Sequence, residues 1–313
     1  MLNNVIMSKE EVPLSLSEKI GYGVVYGVLQ RPFLQPTSAA YTMAANKGIF
    51  GFFPSMQAVY QGGVNSLPPC STLNFWRGSI SEGTKEIFRA PGKYAAILVI
   101  KPEIDRFCEN KTLFVRVAGG GLAFGSVTAL LTEFPAQPFD YMRRRKQYGQ
   151  PWTLQGIVES YKTAFPPNYG RMVVTWGAWY AVGNGMKECG WNPSTVAGAC
   201  VAAPVQALVF TLPALHMDKA ASLVSSAPDL YANYPWMQAM RVAAKDVGFK
   251  GGFDGLPAKW AYNTKLAFGA NMATMIVPVI AGFVRKHFES ETRPLSDARA
   301  CPLESSKDNV RKP

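Results

Sequence analysis

The chain has 313 residues, of which 48% are hydrophobic and only 17% charged, with a net charge of +11. A soluble domain carries about 25% charged residues, so the composition points to a membrane protein, and the surplus of cations acquires meaning only once it is located along the chain. Two histidines, five scattered cysteines without a C-x-x-C pair, and no HExxH or G-x-S-x-G element exclude a histidine-rich metal site, a disulfide framework and the common hydrolases. The chain is therefore not expected to be an enzyme or to hold a metal or cofactor.

The first residues, MLNNVIMSKEEVPLSLSEK, carry three glutamates and no apolar core. They do not read as a secretory signal or a mitochondrial presequence, and any targeting information is expected to be internal. Six apolar stretches follow. Residues 20–36 are interrupted by Arg31, and residues 82–106 carry several charges around YAAILVI. Residues 117–132, VAGGGLAFGSVTALLT, are extended by TLFVR before them, and residues 172–186 are bounded by Arg171 and Lys187. Residues 189–217 and 266–284 contain no formal charge, and either is long enough as a helix to cross about 30 Å of hydrocarbon.

Gly, Ala, Ser and Pro recur inside these stretches, as in GYGVVYG and AGGGLAFG, which suits close helix–helix approach in a membrane. GGGLAFG lacks the preceding strand pattern and the downstream acid of a dinucleotide-binding loop, so helix packing is the better account. Trp236, Met240, Ala243 and Val247 fall at helical spacing and predict an amphipathic helix lying on the membrane surface. The polar tail, residues 289–313, has the composition of a disordered segment.

The apolar stretches are organised as a repeat. LNFWRGSISEGTKE (73–86), ESYKTAFPPNYGRM (159–172) and GGFDGLPAKWAYN (251–263), registered on Gly78, Thr163 and Gly255, follow upstream prolines at Pro36 (or Pro32), Pro138 and Pro204. The period is roughly 100 residues, with the second unit shortened between proline and register point; loss of a short surface helix there is the simplest explanation.

A threefold repeat of two spans each, with P-x-[DE]-x-x-[KR] ending the first span, resembles the mitochondrial carrier family. PFDYMRRRKQ (138–147) supplies Pro138, Asp140 and Arg143 at the matching positions, and FWRG (75–78) is similar to a block of the ADP/ATP carriers. The resemblance implies an all-α membrane protein: six transmembrane helices in three pseudo-symmetric repeats with short amphipathic matrix helices, multi-pass in the mitochondrial inner membrane. Its divisions are an N-terminal extension (1–17), repeat 1 (18–108), a shortened repeat 2 (109–191), repeat 3 (192–288) and the polar tail (289–313). In that family the motif proline kinks the odd-numbered helices, and the motif acid and cation close a ring of ion pairs facing the matrix.

Measured against that pattern the ring is broken. PFLQPTSAAY offers no motif acid or cation in repeat 1, and in repeat 3 Gln206 and Val209 stand where an acid and a cation belong. Pro138, Asp140 and Arg143 are thus expected to be a matrix-gate remnant without inter-repeat partners. At the opposite gate Glu103, Asp105 and Arg106 are the remnant, while WYAVGN (179–184) and VIAGFV (279–284) are neutral.

The resemblance places candidate substrate contacts at Lys85, Gly170 and Tyr262, with Arg171 and Lys259 close by. The three cations read in two ways: as partners for an anionic solute in a polar cavity, or as helix-end residues that snorkel to the interface. The remaining basic cluster of PFDYMRRRKQ suits a helix end at matrix-side headgroups, and a nucleic-acid role would leave six apolar stretches unexplained.

The expected function is a degenerate carrier-like subunit, structural or accessory, of a larger respiratory or ATP synthase assembly, with little or no transport. The alternative is a divergent carrier exchanging a nucleotide, phosphate or carboxylate. The implied partners are the lipid bilayer, cardiolipin among its lipids, and subunits of that assembly, with no nucleic acid and no cofactor.

Overall fold

The structure, a computed structural model, describes residues 14–62, 70–76, 79–147, 151–226, 231 and 234–288. The chain starts with α1 (Leu16–Lys47), whose first turn is capped by Ser15 and Glu18 in a reciprocal capping box and whose last turn ends on Gly48 in the left-handed region, φ 65°. A short helix α2 (Phe52–Tyr60) and a 3-10 turn (Thr72–Trp76) lead to α3 (Ser79–Ala95), which runs through a π turn (Ala96–Ile100) into α4 (Lys101–Cys108) as one rod. A second π turn (Val115–Gly119) opens α5 (Gly120–Gln147). Then come α6 (Leu154–Thr163), α7 (Phe165–Glu188), α8 (Val196–Ser226), α9 (Trp236–Phe253) and α10 (Leu256–Phe288). No strand occurs among the described residues.

The six long rods form a closed ring in chain order: α1 packs on α3, α3 on α5, α5 on α7, α7 on α8, α8 on α10, and α10 returns to α1. Because neighbours in the ring run antiparallel, α2, α6 and α9 all lie at one end, called here the connecting-helix end. The turns after α4 and α7 lie at the other. Three rods are long and apolar enough to cross a membrane, over Val115–Met142, Val196–Ala221 and Leu256–His287.

The tightest contact is α5 on α7, and it depends on glycine. A methyl group on Gly121 would stand 2.9 Å from the Gly177 carbonyl oxygen, one on Gly177 2.9 Å from the Gly121 oxygen, and one on Gly125 2.8 Å from the Gly177 nitrogen. The expectation that GGGLAFG serves helix packing agrees with this contact. Beside it Phe124 stacks on Tyr180 at 5.3 Å and leans on Trp179 at 5.6 Å, all three buried.

Two expectations about the connecting helices change. The second unit keeps its short helix: α6 is present, with the Thr153 hydroxyl accepting from the Gly156 N–H at 3.0 Å to cap it, and only the chain around it is shortened. On α9 the stripe is turned inward rather than onto a membrane. Ala243 is buried with Ala239 against Ala220, Val224 and Tyr231, with Met240 packed on the same cluster, whereas Trp236 stays exposed. Small residues on that face let α9 dock on α8. Tyr231 donates to Asp246 at 3.1 Å, and burial, then the Asp246 carboxylate, raises its phenol above the usual value. α9 breaks at Gly248 (φ 67°), whose carbonyl lies 3.3 Å from His216 Nε2.

Candidate functional site

The polar groups of the interior begin with α3. Glu82, Lys85, Glu86, Arg89 and Lys93 fall at i, i+3, i+4, i+7 and i+11, one face of a helix. Lys85, Glu86 and Lys93 are buried, while Ile80, Thr84, Ile87 and Phe88 are exposed on the outer side. α5 answers with Glu133 and Asp140, two turns apart and both buried.

Apart from Lys93 with Glu86, which share α3, these side chains meet in pairs that cross between helices. Arg31 of α1 pairs with Glu86 and reaches Glu82 at 3.8 Å, and Lys93 lies 3.6 Å from Glu86. Arg89 pairs with Glu133, and Lys85 with Asp140. Near the connecting-helix end the Asp218 carboxylate of α8 takes Arg171 from α7, Lys259 from α10 at 2.8 Å and the Tyr41 hydroxyl of α1 at 2.8 Å. Lys259 Nζ also sits 4.3 Å from the Tyr41 ring centre and 5.7 Å from that of Tyr262. One carboxylate thus joins four helices. A charge removed from water is tolerated when it is paired and hydrogen-bonded, which is the condition met here.

Several expectations are corrected by this geometry. Asp140 has a partner, Lys85, one helix away; the motif reading sought it on another odd-numbered helix. Lys85, Arg171 and Lys259 do not snorkel from helix ends: all three turn inward, onto Asp140 and Asp218. Gln206, which stands where the motif would have an acid, lies away from the ion pairs. It is buried midway along the bundle, donating to the Trp179 carbonyl at 3.0 Å and accepting from Asn271 at 2.8 Å. Asp218 stands five residues past Pro213, the spacing of Tyr41 from Pro36 and of Arg143 from Pro138, where the motif has a cation and not an acid. A methyl group on Gly170 would meet nothing within 4 Å, and the Arg143 side chain lies outside the described residues, as does the register point Gly78.

The opposite end is tied as well. Asp105 of α4 accepts from Lys101 at 2.6 Å, from the Tyr180 hydroxyl at 2.6 Å and from Asn184 Nδ2 at 3.0 Å. Tyr180 and Asn184 belong to WYAVGN, so that neutral segment is not idle: uncharged donors hold the acid there. Tyr180 reaches Asp105 by crossing α5 over Gly120, where a methyl group would stand 2.8 Å from its ring. Arg116 with Glu188 at 3.1 Å and Arg285 with Glu18 at 2.6 Å join α5 to α7 and α10 to α1.

Sequence reasoning missed Arg31, Tyr41, Glu82, Glu86, Arg89, Glu133 and Asp218. The signal was present in the helical spacing of the α3 charges, the seven-residue step from Glu133 to Asp140 and the five-residue step from each proline. No group of three or more His, Cys, Asp or Glu able to hold a metal occurs among the described residues. No protein-family model matches the chain, and no curated protein matches it.

Proposed function

We propose that this chain is a six-span, carrier-like bundle of the mitochondrial inner membrane that serves as a structural or accessory subunit of a larger respiratory or ATP synthase assembly and transports little or nothing. The observation that carries the reading is the state of the interior charges. Six cations (Arg31, Lys85, Arg89, Lys93, Arg171, Lys259) each face one or more of five carboxylates (Glu82, Glu86, Glu133, Asp140, Asp218), in four separate groups of ion pairs. An anion carrier needs cations to offer its solute, and here every one of the six is paired and all but one unit of their charge is balanced by the chain itself. Both ends are tied in the same conformation, at Asp218 and at Asp105. Alternating access would have to break one set while keeping the other, and each tenfold shift in population takes about 1.4 kcal/mol.

Support for six spans, beyond the three rods apolar enough on composition, comes from the faces of the others. The exposed side of α1 is Val25, Val28, Leu29 and Phe33, and that of α3 is Ile80, Ile87 and Phe88, so both present apolar surface outward and charge inward. The inner-membrane placement rests on the motif Pro138, Asp140 and Arg143 and on the repeat.

One observation favours the second reading, a divergent carrier: the ion pairs bridge neighbouring helices, as a gate's would. Reconstitution into liposomes decides between them. The structural reading expects exchange of nucleotide, phosphate and dicarboxylate at the level of empty liposomes, with the protein comigrating with a large complex in a native gel under mild detergent. Robust exchange by the purified protein sinks it.

A further inference from the structure

The outer faces of the six rods are almost free of formal charge. Over residues 21–42, 82–100, 120–142, 165–186, 196–217 and 260–284, Lys265 of α10 is the only exposed charged side chain among the described residues. The other basic residues of these stretches, Arg31, Lys85, Arg89, Lys93 and Arg171, turn inward, and each meets a carboxylate. Lys265 lies instead on the seam of α10 with α1, where Phe33 and, one turn before it, Leu29 stand exposed. Its Nζ donates to the Phe33 carbonyl at 3.2 Å, and no carboxylate pairs with it among the described residues. A carbonyl satisfies one N–H and leaves the charge unbalanced.

Lys265 belongs to the apolar rod Leu256–His287, nine residues or about 14 Å from its connecting-helix end. That rod is about 48 Å long. Centred in about 30 Å of hydrocarbon it projects about 9 Å at either end, which places Lys265 about 5 Å inside. A lysine at that depth can reach the headgroups by extending along its helix, but this ammonium is turned sideways onto α1. An ionisable group on a lipid-facing surface is costly unless a counter-charge meets it. A second copy of the chain has none to give, because the same stretches hold no exposed acid among the described residues. A soluble partner does not reach the level. We infer that the α1–α10 seam is the docking face for a transmembrane helix of a partner subunit, and that this helix carries one aspartate or glutamate that pairs with Lys265. Leu29 and Phe33 supply the apolar surface on which it packs. The inference rests on reading the chain as a spanning subunit of an assembly; it names the face and the chemistry of the contact.

Synthetic single-span helices of leucine and alanine, with one glutamate about 5 Å inside the hydrocarbon or glutamine at the same place, test the contact by energy transfer to the labelled full-length protein in phosphatidylcholine liposomes. The glutamate helix is expected to associate about tenfold more tightly than the glutamine helix, because a charge-assisted hydrogen bond is the stronger one. Lys265→Met should abolish that preference and Lys265→Arg should keep it. Equal association of the two helices, or a preference that survives Lys265→Met, overturns the inference. Loss of co-purified anionic phospholipid in Lys265→Met without any helix preference shows a headgroup site and overturns it as well. In native gels Lys265→Met should leave the large complex with its unfolding midpoint unchanged, and Lys265→Arg should stay. Wild-type protein that migrates alone overturns the assembly reading and this inference with it, whereas comigration that survives Lys265→Met overturns this inference alone.

Discussion

Replacing Asp218 with asparagine removes one negative charge from a point where Arg171, Lys259 and Tyr41 converge. The Asp218, Arg171 and Lys259 side chains are 13%, 15% and 14% exposed, so solvent does little to compensate the two cations left behind. The asparagine oxygen can still accept from one of them, but the charge pairing is gone. Breaking a buried pair by deleting one partner costs about 3–5 kcal/mol, which for a chain of this length lowers the unfolding midpoint by on the order of 5–10 °C. Tryptophan fluorescence during heating in mild detergent reads the shift, since Trp176 and Trp179 are buried in the core. The decisive measurement is a double-mutant cycle of Asp218→Asn with Lys259→Met. The second change should be much less harmful in the Asp218→Asn background than alone, because it deletes a cation already without its carboxylate. Additive effects, or an Asp218→Asn midpoint within a degree of the wild type, would refute the claim that this carboxylate holds the four helices together.

Gly125→Ala should push α5 away from α7, costing about 1–3 kcal/mol by overpacking, while Gly185→Ala, whose methyl meets nothing within 4 Å, should be neutral; thermal unfolding compares them. Gly120→Ala should displace the Tyr180 ring and loosen its hydroxyl from Asp105, so it should cost more than Tyr180→Phe, and the two together should cost less than their sum; full additivity would count against the crossing. For the six-span reading, cysteine placed at Ile87 should react with a lipid-phase probe in liposomes and cysteine placed at Lys85 should not, since one faces outward and the other into the bundle. Equal labelling would count against α3 as a spanning helix.

Much of the architecture is legible in the sequence, for a physical reason: an uncharged stretch such as 189–217 or 266–284 has little choice but to be a buried or membrane helix. Where charge interrupts a stretch, as at 82–106, average hydropathy fails because it discards direction; the α3 charges share one face, and reading at 3.6-residue period recovers it. The family resemblance points to Lys85, and to Gly170 and Tyr262 with Arg171 and Lys259 close by, but it does not give the partners of the three cations. Asp140 and Asp218 lie 55 and 41 or more residues away in the chain, and the ring of helices alone brings them together. α8 holds two interior prolines, Pro204 and Pro213, and the contacts of Asp218 with Tyr41, Arg171 and Lys259 place the second of them nearer the ion pairs, which the sequence spacing does not tell.

The arrangement of α3 has a consequence for biogenesis. In the proposed six-span reading, a helix carrying Glu82, Lys85, Glu86, Arg89 and Lys93 would take five ionisable groups into hydrocarbon, at about 2.5–3.5 kcal/mol each near a helix centre, more than Ile80, Ile87 and Phe88 return. Its counter-charges reside on α1 and α5, so α3 is stable in a bilayer only after those helices stand beside it. On that reading the order of entry would differ from the order of synthesis: the three rods apolar enough on their own, α5, α8 and α10, would settle first, and α3 would be drawn in by Glu133 and Asp140. In a glycosylation-mapped insertion assay, residues 79–108 alone should stay out of the membrane, and the same segment followed by α5 should enter, unless Glu133 and Asp140 are neutralised.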